Sequence, residues 1–418
     1  MTAHTTCFVP LEVWAYGAPR LAAEGRQANF GLLAEALLYY ERVLLEVGNA
    51  ACFAELIRRL VKEDSLADFR ALISDGTIHL YEYAFISTAV KLRSGAFGLF
   101  NVQDEEQLEP KTFRQRILKH DLVRNAFPSP RVRRKFTRAV LDRRVTEVKA
   151  SEFGSSVGNA RDDVFEPRRS ALIVQAFVDE VFRMRDAGQP PEVSAVVRGA
   201  PSHDQRRVTY NIDFDAVANI AGDAVGFHDG TPLVAAALAN RDLWTASREK
   251  CDLFLPSPFS CLVGDKLYEA DRLLRPTSII ESLQEEVDFP DIQRFVNEER
   301  LRLGDVLALR KKAGKFREWL QTESERDRNA IIAYHHEVAK ESSTTSVGRK
   351  ALRLFGVLGG AAVGAATGGM PGAVAGAGVN YLASLAAGLR EDWRPVVFGD
   401  WLRARIERVL ASHDSAAG

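Results

Sequence analysis

The side chains best placed by type and spacing to do chemistry are Asp213 and Asp215. They close a stretch, Arg206–Phe214, in which Val208, Tyr210 and Ile212 alternate with Thr209, Asn211 and Asp213. That alternation is the period of a half-buried strand. A period of two puts both carboxylates on one side of a sheet. Two convergent hard oxygen ligands suit Mg²⁺ or Mn²⁺. Asp223, His228 and Asp229 follow in a glycine-bounded loop, AGDAVGFHDG, that would complete a two-metal phosphodiester site. The competing reading makes Asp215 the N-cap of a helix over Ala216–Ala221 and leaves Asp213 on the surface. It is preferred, because a helix start is signalled there. On that reading the chain has no catalytic residue, and no cofactor is required.

The other chemically suggestive groups are poorly spaced. His335 and His336 are adjacent on a long helical stretch, so they point about 100° apart and cannot share an ion as an i, i+4 pair does. His79 and Glu82 fall on opposite faces of a strand, and His203-Asp204 sits in a turn where Asp has backbone work. Cys7, Cys52, Cys251 and Cys261 are scattered with no CxxC pair, which indicates neither a zinc site nor a disulfide framework. No GxSxG, P-loop or dinucleotide-binding glycine fingerprint occurs.

A basic segment is more pronounced. From Lys111 to Lys149 there are thirteen Lys or Arg against three acids, in a chain whose net charge is only −1. Arg131, Arg133, Arg134, Lys135, Arg138, Arg143 and Arg144 interleave with Val132, Phe136, Val140, Leu141 and Val145. The pattern fits a basic helix or strand that faces the core on one side and polyanions on the other, whether nucleic acid or anionic lipid. The bland alternative is a solvated face paired with the acidic stretches 104–109 and 281–299.

Near the C-terminus, Gly356, Gly360, Gly364, Gly368, Gly372 and Gly376 recur at a spacing of four. No charged residue lies between Arg353 and Arg390. On a helix this spacing makes one small-residue face, the device that lets helices approach closely. Thr367–Gly372 (TGGMPG) divides the stretch into two arms, Ala351–Ala366 and Gly372–Leu389, each about 24–27 Å long. Each arm is a little short of the roughly 20 apolar residues that span a bilayer. Arg349, Lys350 and Arg353 before it, and Arg390 and Arg394 after it, suit a hairpin whose two ends stay beside anionic headgroups. The two readings are a tight soluble hairpin and a conditional membrane hairpin that oligomerises through its glycine face.

These groups must be carried by the elements around them. Residues 8–16 read as a strand, Phe30–Tyr40 as a helix capped by Asn29, and Arg42–Val47 as a buried strand. Helices Ala50–Lys62 and Leu66–Ile73 start at Asn49 and Ser65, and a turn at Asp75-Gly76 leads into a strand over Thr77–Ala84. That alternation predicts an α/β unit. Residues 151–160 (SEFGSSVGNA) read as a linker, Pro167–Arg185 as an amphipathic helix, and Val193–Arg198 with Arg206–Phe214 as a β-hairpin. Helices then dominate: Pro232–Lys250, Leu262–Leu274, Ser278–Glu286, Asp291–Asn297 and Leu303–Glu341. The last helix, Gly399–Leu410, follows Pro395.

The expected organisation is mixed α/β and α+β in three parts. Residues 1–150 form an α/β domain bearing the basic segment 111–149. Residues 161–341 form a helix-rich domain with a β-hairpin near 190–215. Residues 342–418 form the Gly/Ala-rich hairpin and a terminal amphipathic helix. With 418 residues, 46% hydrophobic and 27% charged, the composition is that of a globular chain. Abundant Ala, Arg and Val is GC-rich bacterial usage. The N-terminus lacks a basic region and an apolar h-region, so a cytoplasmic protein is expected, peripheral to or conditionally inserted in the inner membrane. The function expected is a non-enzymatic sensor or effector whose glycine hairpin engages membrane or another copy, in a toxin- or defence-like role. The alternatives are a divalent-metal-dependent nucleic-acid or phosphodiester protein, and a soluble oligomeric scaffold.

Overall fold

The computed structural model describes residues 6–13, 19–47, 50–83, 85–91, 97–103, 113–127, 129–141, 145–199, 206–222, 230–254 and 292–311, with 262, 313, 314, 317 and 406 as single positions. The chain divides into two compact units, Met1–Leu274 with Gln293–Leu307, and Arg275–Ile292 with Ala308–Gly418. The first holds nearly all the described structure and is an α/β assembly.

Its centre is a five-stranded parallel sheet in the order β6-β3-β2-β1-β9, built from β1 (Thr6–Pro10), β2 (Arg42–Glu46), β3 (Ile78–Tyr83), β6 (Val145–Val148) and β9 (Asp252–Leu253). Parallel neighbours need long crossovers. Between β1 and β2 these are α1 (Pro19–Ala23) and α2 (Phe30–Tyr39); between β2 and β3 they are α3 (Ala50–Lys62) and α4 (Leu66–Ser74). The chain spreads outward from β1 through β2, β3 and β6. It then returns to lay β9 on the other side of β1, which makes β1 the point where strand order reverses. In open α/β sheets ligands bind outside the carboxyl ends of strands near such a point.

Local sequence accounts for much of this. Asn29 caps α2, its Oδ1 accepting from the Leu32 N–H at 3.0 Å, and every residue of α2 is buried. Ser65 precedes α4 but its side chain makes no cap bond; its Oγ donates to the Glu63 carbonyl at 3.3 Å instead. The first strand is shorter than the expected 8–16, because the chain turns away past Leu11: the Leu11 N–H still donates to the Glu46 carbonyl at 3.2 Å, but its carbonyl accepts from the Asn29 N–H, and Glu12 bridges Ala28.

After β3, a hairpin of β4 (Phe85–Lys91) and β5 (Phe97–Gln103) leads to α5 (Phe113–Lys119), α6 (Asp121–Ala126) and α7 (Pro130–Leu141). The basic segment is therefore helical in α7. The expected linker at 151–160 is corrected: it lies within α8 (Ala150–Val164). Glu152 accepts from the Lys149 N–H at 2.9 Å to start it, and Phe153, Ala160 and Val164 are buried. Its partner is α11 (Thr231–Glu249), whose apolar run Leu233–Ala239 is buried throughout. Packing between these helices overrides the low helix propensity of Gly and Ser. Between them come α9 (Pro167–Arg185), capped by Glu166 and with Pro at its first turn, the two-stranded β7 (Ala195–Arg198) and β8 (Arg207–Tyr210), and α10 (Phe214–Ala221). The core joins these elements to the sheet through Phe8, Tyr83, Phe153, Phe177 and Val181.

Residues 293–307 return to the N-terminal helices through α12 (Ile292–Asn297) and the start of α13 (Leu303–Arg310). Asn297 Oδ1 accepts from the Gly31 N–H at 2.8 Å and its Nδ2 donates to Asn29 Oδ1 at 3.0 Å. Glu299, in the left-handed region at φ 60°, pairs with Lys62 at 2.6 Å and Arg26 at 3.1 Å. Gln293 Nε2 donates to Glu35 at 2.6 Å, Leu303 N–H to Glu63 at 2.9 Å, and Arg59 Nη2 to the Val296 carbonyl. Gly31 permits the approach: a Cβ there would lie 2.3 Å from the Gln293 carbonyl oxygen.

The glycine face Gly356, Gly360, Gly364, Gly368, Gly372 and Gly376 lies outside the described residues, as do the helix expected over 278–286 and residues 318–341 of the one expected over 303–341. Among the described residues no helix is long and apolar enough to cross a membrane.

Candidate ligand site at the carboxyl edge of the sheet

The sequence-predicted carboxylate pair does not form. β8 ends at Tyr210, so neither Asp213 nor Asp215 is on a strand. The cap also belongs to the other residue: Asp213 Oδ1 accepts from the N–H groups of Asp215 and Ala216 at 2.9 and 3.3 Å, while Asp215 lies in the first turn of α10. The helix starts at Phe214, two residues earlier than expected, with the Phe214 ring packed on Tyr210 at 5.3 Å. Asp223 lies outside the described residues. Among those described, no three His, Cys, Asp or Glu side chains converge as an ion site. His79 and Glu82 take separate partners, Thr146 at 2.7 Å and Arg116 at 2.6 Å.

A different set of ions converges where sequence reasoning did not look. Glu46 is the last residue of β2, the middle strand, and is 1% exposed. Arg241 Nη1 reaches its Oε1 at 2.7 Å. The same guanidinium clasps Asp242 Oδ1 through Nε and Nη2 at 2.9 and 2.8 Å, and lies 4.8 Å over the Tyr83 ring. Tyr83, the last residue of β3, places its hydroxyl 2.6 Å from Thr245 Oγ1, which donates to the Arg241 carbonyl at 3.0 Å. Aromatic walls hold that ring: Phe8 at 6.1 Å and Phe153 at 5.7 Å, both edge-on.

The electrostatics are lopsided. Glu46 and Asp242 are two buried carboxylates against one guanidinium. Burial raises Glu46 to about 6 despite the attraction of Arg241. Asp242 is raised for the same reason, and Arg241 is held charged by its two carboxylates in spite of its own burial. Among the described residues Glu46 Oε2 has no hydrogen-bond partner, although a buried carboxylate oxygen normally has one. Close by, at the start of α3, Cys52 is fully buried, and its thiol is pushed up by burial and then by the negative charge of Glu12, Glu46 and Glu55. Such a thiol stays protonated and is a poor nucleophile. Glu55 is spoken for, accepting from the Gln27 N–H at 2.7 Å.

The arrangement leaves an acceptor, Glu46 Oε2, with a surplus negative charge behind it, one strand from the switch point of the sheet. One signal in the sequence pointed to it: Asn240-Arg241-Asp242 interrupts an apolar run (PLVAAALANRDLW), and Glu46 ends an apolar strand (RVLLEV). Charged residues set in apolar runs are expected to be paired inside the protein.

The basic segment is placed on α7, with Arg131, Arg134, Lys135 and Arg138 exposed and Arg133 partly buried; Arg143 and Arg144 lie outside the described residues. Compared with known proteins, the chain matches no family model, no curated protein and no solved structure.

Proposed function

We propose that this is a two-part recognition protein. The α/β unit binds a small molecule at the carboxyl edge of its sheet, and the glycine-rich tail is the responding part, through membrane contact or self-association. The observation that carries the reading is Glu46 Oε2: buried, without a hydrogen-bond partner among the described residues, and backed by one more carboxylate than cation. Buried polar groups left unpaired are costly. A ligand N–H or O–H that completes Glu46 would recover that cost on binding. Support for the tail is the regular glycine repeat in an uncharged stretch with basic flanks. The reading is one of binding without turnover. A Mg²⁺- or Mn²⁺-dependent phosphodiester enzyme draws less support, because Asp213 is engaged at a helix start. An oligomeric scaffold would use the same tail without the ligand.

The test uses the full chain. Native mass spectrometry of gently purified protein looks for a co-purifying small molecule, and a library of amines, amides and nucleosides is screened by thermal shift. A ligand is expected to raise the melting temperature of the wild type. Glu46→Gln should fold and lose roughly tenfold to a hundredfold in affinity, the worth of one charged hydrogen bond. Equal affinity in the two proteins, or no ligand from either approach, overturns the site. Truncation at Ser342 should leave ligand binding intact while abolishing vesicle association and higher-order assembly.

A further inference from the structure

The packing of α7 leaves a rail of cations on its outer face. Phe136 is 6% exposed and stacks against Phe127, ring centroids 5.5 Å apart, and the helix packs on α4, α5 and α6. On the other side lie Arg131, Arg134, Lys135 and Arg138, all exposed. Their spacing is i, i+3, i+4, i+7, which is one face of a helix. No acidic residue occurs in α7. Among the described residues, Arg131, Arg134 and Lys135 make no ion pair. The neighbouring acids are Asp68 on α4 and Asp121 on α6, and Asp121 is taken by Arg124 at 3.3 Å. Like charges at i, i+4, as in Arg131 with Lys135, weaken a helix. A rail of this kind works against its own helix and is relieved by an anionic partner.

We propose that the Arg131–Arg138 face of α7 binds the phosphate backbone of a double-stranded nucleic acid without reading its sequence. The four cations span roughly 10 Å of helix axis, and a duplex carries a negative charge about every 1.7 Å of its own axis, so several phosphates lie within reach. Three of the four are Arg, whose planar fork matches phosphate oxygens in pairs. The rail has no aromatic side chain on which a single-stranded base would stack, and no Asn or Gln to read adenine edges. A lipid surface is the poorer fit. A helix that lies in a membrane interface buries its apolar face there, and Phe136 is already committed inside the protein; among the described side chains of α7, Val132, 45% exposed, is the apolar group beside the rail.

The experiment titrates the full chain against two 25-base-pair duplexes of unrelated sequence, a single strand of the same length, and phosphatidylserine vesicles, across 50–200 mM salt. Comparable affinity for both duplexes is expected, falling linearly on a log–log plot. Arg131→Ala with Arg134→Ala and Lys135→Ala should lower that slope by roughly 2.7, at about 0.9 per lost contact. Arg131→Lys with Arg134→Lys should keep the slope, which separates charge from fold. Melting temperature and far-ultraviolet spectrum serve as the folding check for each variant. Salt-independent binding, an unchanged slope in the folded triple variant, strong preference for one sequence, or binding to vesicles and not to duplexes would each overturn the proposal.

Discussion

Glu46 and Glu299 are both glutamates held by basic side chains in the same structural unit, yet their protons are held in opposite ways. Glu46 sits fully inside the sheet edge, and burial outweighs Arg241, raising it to about 6. Glu299 sits at the end of the returning segment, 31% exposed, where hydrogen bonds from Lys62 and then Arg26 lower it to about 2. The first carboxylate shares its one cation with Asp242; the second has two cations, Lys62 and Arg26, the latter also reaching Glu24 at 3.9 Å. Burial makes the difference. An ion pair near solvent is inexpensive and can serve as a fastening, whereas an ion pair inside carries a desolvation cost of several kcal/mol per ion that only good geometry offsets. The fastening is fully paired. The interior cluster is short of one donor, which is why it is the better candidate for receiving a ligand.

The largest expected effect comes from removing the shared cation. Arg241→Ala leaves two buried carboxylates uncompensated and should cost about 3–5 kcal/mol. Chemical denaturation of wild type and variant measures it, and a cost below 1 kcal/mol would mean that the cluster is far better hydrated than its burial implies. Next is Gly31→Ala, where the new Cβ would collide with Gln293 backbone at 2.3 Å. Overpacking of this kind costs about 1–3 kcal/mol. Hydrogen exchange should show 293–307 losing protection while the sheet keeps its own.

The pH dependence separates the two sites further. Glu46 binds its proton more tightly folded than unfolded, so its contribution is full below about 4.5 and is lost as pH rises to about 6. Across that window it should remove about 2 kcal/mol of stability, and Glu46→Gln should flatten the slope there. Glu299 acts in the opposite sense: its contribution is present above 4.5 and is lost as pH falls towards 2. Midpoints of urea unfolding from pH 2.5 to 7 would show both, and a Glu46→Gln profile parallel to wild type between 4.5 and 6 would contradict the assignment. The smallest effect is Glu299→Gln at neutral pH, expected to cost about 0–1 kcal/mol as a partly exposed pair does.

The local rules of sequence reached the elements and stopped short of the site. Asn29 before an apolar helix, Pro167 opening another, and the β-rich run ending at Tyr83 are written within a few residues of where they act. Residues 151–160 defeated the same rules because Gly and Ser there are held helical by a partner helix some eighty residues later. The cap fell on Asp213, two residues before the expected Asp215, where the ring of Phe214 packs on Tyr210. Glu46, Tyr83 and Arg241 share no local pattern at all: two strand ends and a distant helix meet only once the parallel sheet has formed. What the sequence did show was charge set inside apolar runs, a sign that a partner exists without saying which.

The pairing of β9 with β1 has a consequence during synthesis. Phe8 aligns with Leu253, 245 residues later in the chain. At about 5–20 residues per second, the ribosome delivers β9 roughly 12–50 s after β1 has emerged. Throughout that interval one edge of β1 has no neighbour, and Cys7, Phe8 and Val9, fully covered in the finished protein, lack their cover. An open apolar edge is a template for pairing with another nascent chain. Yield of native protein should therefore depend on translation speed and on chaperones that shield that edge, with slower synthesis at 37 °C favouring inclusion bodies over the folded product.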